Sequence, residues 1–269
     1  MFKVLQDMLD YKLLSEVNQD HPCKVYEALH VPSETLVLVK KYQCELFPHV
    51  PAFMVKELAA TKRLNHKAVL SIKAFCQRGT NCYIVYEYFP YNLADFSCFQ
   101  IRQIKQILRV LLEVTKEMHS KQVLHREIKP QNILLDEKLN LKLKGFGRAK
   151  IEPRVNTPGV EELWYKAPEI LLERNYSYEA DVWSIGCIFG ELLKGEPMFP
   201  GFSKLDQLKK ICDFLGHKEN LELNTQEDKF QSFFELDFEG LDLLKRLLAF
   251  EPSERITPDS ALYHPFLSI

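Results

Sequence analysis

The segment His125-Arg126-Glu127-Ile128-Lys129-Pro130-Gln131-Asn132 gives the strongest indication of fold and chemistry in this sequence of 269 residues. It combines a His-Arg pair with a carboxylate at Glu127 and an amide side chain at Asn132, five residues later. A carboxylate can act as a general base, and carboxylate and amide oxygens can bind a cation. The segment therefore predicts a catalytic loop or the remnant of one.

Length and composition predict an intracellular protein with one two-lobed domain or two small ones. Hydrophobic residues make up 46% of the chain, which is enough to bury a large core. The 35 basic and 37 acidic residues leave a net charge of −2, so neither nucleic acid nor a membrane is an expected partner. The seven cysteines form no CxxC pair, which indicates neither a disulfide framework nor a zinc site. With no signal peptide and no long uncharged apolar run in the sequence, we expect the cytoplasm or the nucleus.

Hydrophobic periodicity divides the chain into a strand-rich first third and a mainly helical remainder. Alternating residues predict five strands in the first third, including strands at 24–28, 35–40, 72–75 and 83–86. Helical spacing predicts one helix there, from residue 51 to about residue 65. In the remainder, apolar stripes predict helices at 101–118, 182–188, 205–215 and 241–250, with short strands at 132–135 and 141–144. Residues 147–162 are rich in charges and contain prolines, and we predict a loop there.

Further motifs occur on both sides of the opening segment, in a fixed order. Residues 51–57 read Pro-Ala-Phe-Met-Val-Lys-Glu, and residues 163–172 read Leu-Trp-Tyr-Lys-Ala-Pro-Glu-Ile-Leu-Leu. Residues 181–189 read Asp-Val-Trp-Ser-Ile-Gly-Cys-Ile-Phe, and residues 198–201 read Met-Phe-Pro-Gly. Any one of these would be weak evidence, but in this order they resemble the motifs of the protein kinase family and, within it, of the cyclin-dependent kinases.

The resemblance implies a bilobal protein kinase fold of the α+β class over residues 11–266. A small N-lobe, residues 11–88, would hold five strands and one helix, and a larger C-lobe, residues 89–266, would be mainly helical. Glu169 and Arg255 match a pair that forms a buried salt bridge in the large lobe of the family. The implied activity is transfer of the ATP γ-phosphate to serine or threonine hydroxyls of proteins, with magnesium as the metal.

By position, the resemblance assigns a role to most residues that a kinase uses. Glu127 replaces the aspartate that acts as catalytic base, whereas Lys129 and Asn132 keep the residues of the family. Lys40 corresponds to the lysine that holds the α- and β-phosphates, and Glu57 corresponds to the helix acid that pairs with it. The residues that would surround a bound nucleotide are Val25, Lys40, Glu57, Glu87, Phe89 and Leu134.

Two departures from the family argue against nucleotide and metal binding. Gly145 stands where the family has an aspartate ligand of magnesium, and it has no ligand atom, so no metal site is expected. The three glycines of the phosphate loop are replaced at Asn18, Asp20 and Cys23, and an ordinary hairpin turn is expected there. We therefore expect no cofactor, and ATP with magnesium only if activity persists.

The adenine slot also has the wrong side chains for a nucleotide. Leu38 replaces a small alanine above the ring, and Tyr86 is a bulky residue at the gatekeeper position, so the slot is predicted to be filled. Lys144 replaces another alanine and leaves two interpretations open. Its ammonium group faces phosphates in place of a metal, or it pairs with Glu57 or Glu127 and plugs an empty pocket.

Two positions near the expected activation loop bear on regulation. Glu162 replaces a threonine of the family and is expected to lie near Glu127 and to compete for Lys129. Thr157, followed by a proline, is a candidate phosphorylation site in this loop. The basic residues that would receive its phosphate are Lys56, Arg126 and Lys150.

The helix predicted at residues 51–57 is a candidate docking site for a protein partner, which could be cyclin-like. Val55 would face such a partner, whereas Phe53 and Met54 are expected to pack between the helix and the sheet. Three functions stay open at this point. The preferred one is a pseudokinase that acts as a scaffold or allosteric partner. The others are a weakly active serine/threonine kinase and a metal-independent nucleotide sensor, and enzyme activity is therefore uncertain from the sequence.

Overall fold

The computed structural model of this chain describes residues 3–5, 8–20, 23–43, 50–151, 162–216, 230–231 and 233–268. Within these ranges, a strand-rich N-terminal part is followed by a C-terminal part that is built mainly from helices. This mixed α+β arrangement agrees with the predicted two-lobed fold. Thr157 and the other residues of the expected activation loop between 152 and 161 lie outside the described residues.

The N-terminal part is organised around a sheet with strand order β1-β5-β6-β4-β3-β2. Its strands are β1 Lys3–Leu5, β2 Tyr11–Asp20, β3 Cys23–His30, β4 Thr35–Gln43, β5 Ile72–Arg78 and β6 Asn81–Glu87. The antiparallel strands β2 to β6 are the five that the sequence predicts. Strand β1 was not predicted, and it pairs in parallel with β5, with Lys3 opposite Ala74. A strand of three residues is too short to show an alternating pattern.

Strand register brings the expected nucleotide-binding residues of this sheet together. Val25 of β3 lies opposite Lys40 of β4, and Leu38 of β4 lies opposite Tyr86 of β6. Because side chains alternate along a strand, Leu38, Lys40 and Tyr42 project from the same face of β4. The sheet thus presents these side chains side by side.

Helix α1, Ala52–Arg63, connects β4 to β5 and agrees within two residues with the predicted helix. Its buried stripe consists of Met54, Glu57 and Ala60, which recur at three-residue steps as an amphipathic helix requires. The expectation that Phe53 packs between the helix and the sheet is wrong, because Phe53 lies off this stripe and is 43% exposed. Val55 is also exposed.

The C-terminal part contains the long helices that the apolar stripes predict. The α-helices whose bounds are described in this part are α2 Ile101–Ser120, α3 Pro168–Leu171, α4 Glu179–Lys194, α5 Lys204–Leu215, α6 Phe238–Leu247 and α7 Pro258–Leu262. The short strands are β7 Tyr91–Asn92, β8 Val123–Leu124, β9 Ile133–Leu135, β10 Leu141–Leu143 and β11 Lys150–Ile151. Strand β11 lies inside the segment predicted to be a loop, where its two residues pair with β8. Among the described residues, no helix combines the length and the apolarity needed to cross a membrane.

The core of the C-terminal part is centred on α4, which is apolar on almost every side as predicted. The Arg255 guanidinium reaches the Glu169 carboxylate through two hydrogen bonds, of 2.8 and 3.1 Å. The Arg255 and Glu169 side chains are only 0% and 2% exposed, and Arg255 also donates to the carbonyl of Glu179. The predicted buried salt bridge is confirmed, and it ties the loop before α7 to α3.

Candidate functional site

The backbone of the opening segment is held by one carboxylate from α4. The backbone N–H groups of His125 and Arg126 each donate to a different oxygen of Asp181, both at 2.9 Å. Arg126 has a φ of +72°, which is unfavourable for a residue with a side chain. The two hydrogen bonds from a buried carboxylate fix this strained conformation, so the loop keeps its shape although Glu127 has replaced an aspartate.

His125 connects this loop to the Gly145-Phe146-Gly147 segment. Its Nε2 atom lies 2.9 Å from the carbonyl oxygen of Lys144, and its ring meets the Phe146 ring edge-on at 4.7 Å. Burial lowers the pKa of His125, although Asp181 acts in the opposite direction. A neutral imidazole that donates from Nε2 can accept from the backbone of Glu127, whose N–H lies 3.2 Å from Nδ1. His125 therefore has a structural role in this site.

Glu127, at the position of the catalytic base, lies between two cations. Its Oε1 atom is 3.5 Å from the Lys129 ammonium and 3.5 Å from Nε of Arg148. The Lys129 ammonium is closer to Glu162, at 2.7 Å. The structure thus places Glu162 where the sequence predicts it, in competition with Glu127 for Lys129.

Sequence reasoning missed Arg148, because it falls in the segment that was predicted only as a loop. The sequence contained one indication of its place: Arg148 directly follows Gly145-Phe146-Gly147, the segment expected at the metal position. In the structure, Phe146–Arg148 form a short 3-10 turn that packs against α1 and turns Arg148 toward Glu127. Arg148 adds a second positive charge beside the carboxylate that would act as base.

Asn132 and Gly145 occupy the region where a kinase holds its metal. The Asn132 side chain is buried, and its Nδ2 atom donates to the carbonyl of Glu127 at 2.8 Å. A Cβ added to Gly145 would be 2.7 Å from Cγ and Nδ2 of Asn132. Gly145 also has a φ of +89°, a conformation that favours glycine. Position 145 therefore lacks a ligand atom and, in addition, has the amide of Asn132 packed against it.

These residues do not fit a magnesium ion. Magnesium prefers carboxylate and phosphate oxygens in octahedral geometry, whereas Gly145 contributes no oxygen and Asn132 offers only its neutral Oδ1, since its Nδ2 donates to the Glu127 carbonyl. In the part of the chain that the structure describes, no three His, Cys, Asp or Glu side chains are grouped so that they could hold a metal ion.

The Lys40–Glu57 ion pair is present, with Nζ of Lys40 3.4 Å from Oε2 of Glu57. Two tyrosine hydroxyls also donate to this carboxylate, from Tyr86 at 2.7 Å and from Tyr42 at 2.9 Å. The sequence marked Tyr86 only as a bulky gatekeeper and did not single out Tyr42. The signal for Tyr42 was its place two residues after Lys40, on the same face of a strand.

Burial and charge act against each other in this cluster. Burial disfavours the charged form of Glu57, but the Lys40 ammonium and the two tyrosine hydroxyls hold the pKa of Glu57 below its usual value. Burial likewise disfavours charged Lys40, yet the Glu57 carboxylate raises the pKa of Lys40 well above its usual value. Burial and the Glu57 charge raise the pKa values of both tyrosines, so their hydroxyls stay neutral donors.

The expected adenine slot is lined by side chains that pack on one another. Leu134 of β9 is only 5% exposed and belongs to a cluster with Tyr86. Leu38 and Phe89 are partly buried against the same cluster. Leu134 therefore has little surface left for a ligand.

The segment that connects the two lobes is tied to both of them. The Glu87 carboxylate accepts from the backbone N–H of Ser71 at 2.7 Å and lies 2.8 Å from the Lys142 ammonium. The Tyr88 hydroxyl donates to Glu27 of β3 at 2.6 Å, and this hydrogen bond raises the pKa of Tyr88 to about 12. These contacts restrain the connecting segment around Glu87 and Tyr88, which a bound nucleotide base would contact.

At the replaced phosphate loop, strands β2 and β3 stay paired up to Asp20 and Cys23. Asn18 lies opposite Val25 in the same ladder, and the Cys23 side chain is buried. The ladder has register shifts between Leu13 and Ser15 and between Glu16 and Asn18, and the turn that would close the expected hairpin lies outside the described residues. Lys144 is half-buried, and its backbone carbonyl accepts a hydrogen bond from the His125 ring.

The three basic residues expected to receive a phosphate come together from α1, the opening segment and β11. Burial lowers the pKa of Lys150, and the positive charges of Arg126 and Lys56 lower it further. Lys150 of β11 pairs with Leu124, two residues before Arg126, and the charges of Arg126 and Lys56 both act on it. An anion placed among them would relieve the repulsion.

The comparison with protein families agrees with this geometry. The family model of the protein kinase domain matches residues 11–267, a range that includes Lys40, Glu57, the opening segment and the Glu169–Arg255 pair. A match over nearly the whole chain, together with a strand-rich first part and a helical second part, shows that this chain belongs to the protein kinase family.

Proposed function

We propose that this protein is a cyclin-dependent-kinase-like pseudokinase, which acts as a scaffold or allosteric partner and does not transfer phosphate. The observation that carries the proposal is the packing of the Asn132 amide against Gly145, where a magnesium ligand would be needed. Phosphoryl transfer depends almost entirely on positioning and on stabilisation of charge, and the metal supplies several kcal/mol of that stabilisation. A site without a carboxylate at position 145 loses this contribution.

The surroundings of Glu127 support the same proposal. A general base has to be ionised and aimed at the substrate hydroxyl, but Glu127 is in contact with Arg148 and Lys129 instead. A base displaced by about 1 Å lowers the rate on the order of a hundredfold. This loss multiplies with the loss of the metal, and the expected activity is at or near background.

The partner that we propose is a protein, docked on the exposed side of α1 and cyclin-like in its mode of binding. Phe53 and Val55 expose 43% and 51% of their surface there, so α1 offers more apolar surface than Val55 alone. Pull-down of a cyclin-box protein should be lost in Val55→Glu, and undiminished capture would refute this docking face. We also propose an intracellular location, the cytoplasm or the nucleus, because the six cysteines in the described ranges are thiols.

Thermal unfolding with ATP, with and without magnesium, tests the proposal. A pseudokinase of this kind should show no shift in either condition, and its autophosphorylation should be at background. Lys40→Met and the matched variant Lys41→Met, from the opposite face of β4, should both show no shift with ATP and autophosphorylation at background, although Lys40→Met should lower the unfolding temperature because it removes the partner of Glu57. Autophosphorylation that disappears in Lys40→Met but not in Lys41→Met would overturn the pseudokinase assignment.

The second candidate is a weakly active serine/threonine kinase, which is favoured by the intact Lys40–Glu57 pair. It would use Glu127 as base, Asn132 with one metal ion, and Lys40 on the phosphates. For this candidate, ATP should raise the unfolding temperature only when magnesium is present. Stabilisation by ATP without magnesium would instead favour a nucleotide sensor based on Lys40 and Lys144.

A further inference from the structure

The carboxylate of Glu57 is the point at which α1 is attached to the sheet. Three donors converge on it, and the two tyrosine hydroxyls, at 2.7 and 2.9 Å, are closer than the Lys40 ammonium at 3.4 Å. We propose that Tyr42 and Tyr86 lock α1 in its inward position, so that the place of this helix does not depend on a bound nucleotide or partner. The inference goes beyond the proposed function, because it concerns the helix whether or not the protein transfers phosphate.

The two tyrosines belong to adjacent strands of the sheet. Tyr42 is near the end of β4 and Tyr86 is near the end of β6, and these strands pair from Val37 opposite Glu87 to Gln43 opposite Asn81. Both rings are buried, at 2% and 6% exposure. Hydrogen bonds to a carboxylate are roughly twice as strong as neutral ones, and they are stronger still where water is excluded. The sheet therefore holds the helix at two points that are themselves rigid.

An outward movement of α1 would break all of these contacts together. The ionised Glu57 would lose two hydroxyl donors and its lysine, and Met54, which is 0% exposed, would be uncovered. The Tyr42 and Tyr86 hydroxyls and the Lys40 ammonium would be left in the sheet without their acceptor, and a buried polar group without a partner is costly. If phosphates were to draw the Lys40 ammonium away, Glu57 would still keep both tyrosines. The exposed face of α1, with Phe53 and Val55, is thus held in one position.

Hydrogen exchange of the α1 backbone amides, followed by mass spectrometry, tests the lock without any ligand. Tyr42→Phe and Tyr86→Phe each remove one hydroxyl and keep the ring. Since a hydrogen bond to a charged group contributes on the order of one tenfold factor in a local opening equilibrium, each variant should speed α1 exchange about tenfold. Amides of α2 serve as internal reference and should not change.

Tyr83→Phe is the matched control, because Tyr83 lies on β6 but packs against the separate cluster around Ala28 and Val39. It should leave α1 exchange unchanged. The lock is refuted if α1 exchange is unaffected in both tyrosine variants, or if α1 and α2 accelerate equally, which would indicate global destabilisation. Addition of ATP and magnesium to the unchanged protein should not slow α1 exchange further, and a large slowing would also refute it. Catalytic activity does not enter this test, so its outcome is separate from that of the pseudokinase assignment.

Discussion

The Asn132 side chain packs so closely on Gly145 that a Cβ at position 145 would be only 2.7 Å from the Asn132 amide. The loss of the metal ligand is therefore not an isolated change at one residue. Asn132 keeps the identity that it has in the family, but its amide donates to the Glu127 carbonyl and fills the space beside a glycine with positive φ. A side chain restored at position 145 would have to displace the Asn132 amide.

Gly145→Asp should destabilise the protein without creating a metal site. The positive φ of position 145 and the overlap with Asn132 together should lower the free energy of unfolding by about 1–3 kcal/mol or more. Denaturant unfolding measures the loss, and thermal unfolding with ATP and magnesium should still show no shift. Gly147→Ala is the control, since its added Cβ meets only ordinary contacts at 3.5 Å and beyond. A magnesium-dependent ATP shift in Gly145→Asp would contradict our account of Asn132.

Inorganic phosphate should stabilise the protein through the basic residues Lys56, Arg126 and Lys150. At a phosphate concentration near the dissociation constant, the gain is about 0.4 kcal/mol, or roughly 1 °C in the unfolding temperature. Lys150→Gln should abolish this shift, because it removes the cation whose pKa the other two lower.

Sodium chloride at matched ionic strength and the exposed variant Lys121→Gln are the controls for this measurement. If phosphate stabilises Lys150→Gln as much as the unchanged protein, the three cations do not form an anion site. Phosphorylation of Thr157 should stabilise the protein through the same three residues. The stabilisation should be smaller than three arginines would give, because lysine cannot bind phosphate through a planar fork.

Arg255→Ala should be among the most damaging single substitutions. It would leave the Glu169 carboxylate buried without its partner, and breaking such a pair costs about 3–5 kcal/mol. Arg246→Ala removes an ion pair of similar length, 2.8 Å to Asp242, but this arginine side chain is 57% exposed. Its loss should cost less than about 1 kcal/mol. Urea unfolding of both variants checks the contrast, and equal losses would contradict the importance that we give to burial.

The free energy of unfolding should fall at acid pH, and part of this fall should come from protonation of Glu57. The folded-state pKa of Glu57 is lower than its unfolded value of about 4.5, so the unfolded chain binds the proton more readily. The contribution of Glu57 is therefore fully present above about pH 4.5 and is lost as the pH falls through the folded-state pKa. Replacing Tyr42 and Tyr86 together with phenylalanine should raise that pKa and shift the loss to higher pH. Unfolding free energies measured between neutral and acid pH would show this shift, and an unchanged profile would argue against the tyrosine contacts.

Much of the fold could be predicted from the sequence, because periodicity and ordered motifs are local properties. The helices α1, α2 and α4 and the five antiparallel strands follow from the spacing of apolar residues. Strand β1 was missed because three residues show no period, and Phe53 was misplaced because the helix phase was set by Met54 and Glu57. The site was predicted as a set of residues, but Tyr42 and Arg148 were not part of that set.

The sequence by itself determined that this chain is a protein kinase homologue and that no side chain at position 145 can supply an oxygen to a metal, because both are facts of residue type and order. Only the tertiary structure decided that the Asn132 amide packs against that position, that Arg148 contacts Glu127, and that two tyrosines meet at Glu57. The physical reason is that distances between side chains on different strands and helices depend on register and packing. Spacing along the chain does not specify them.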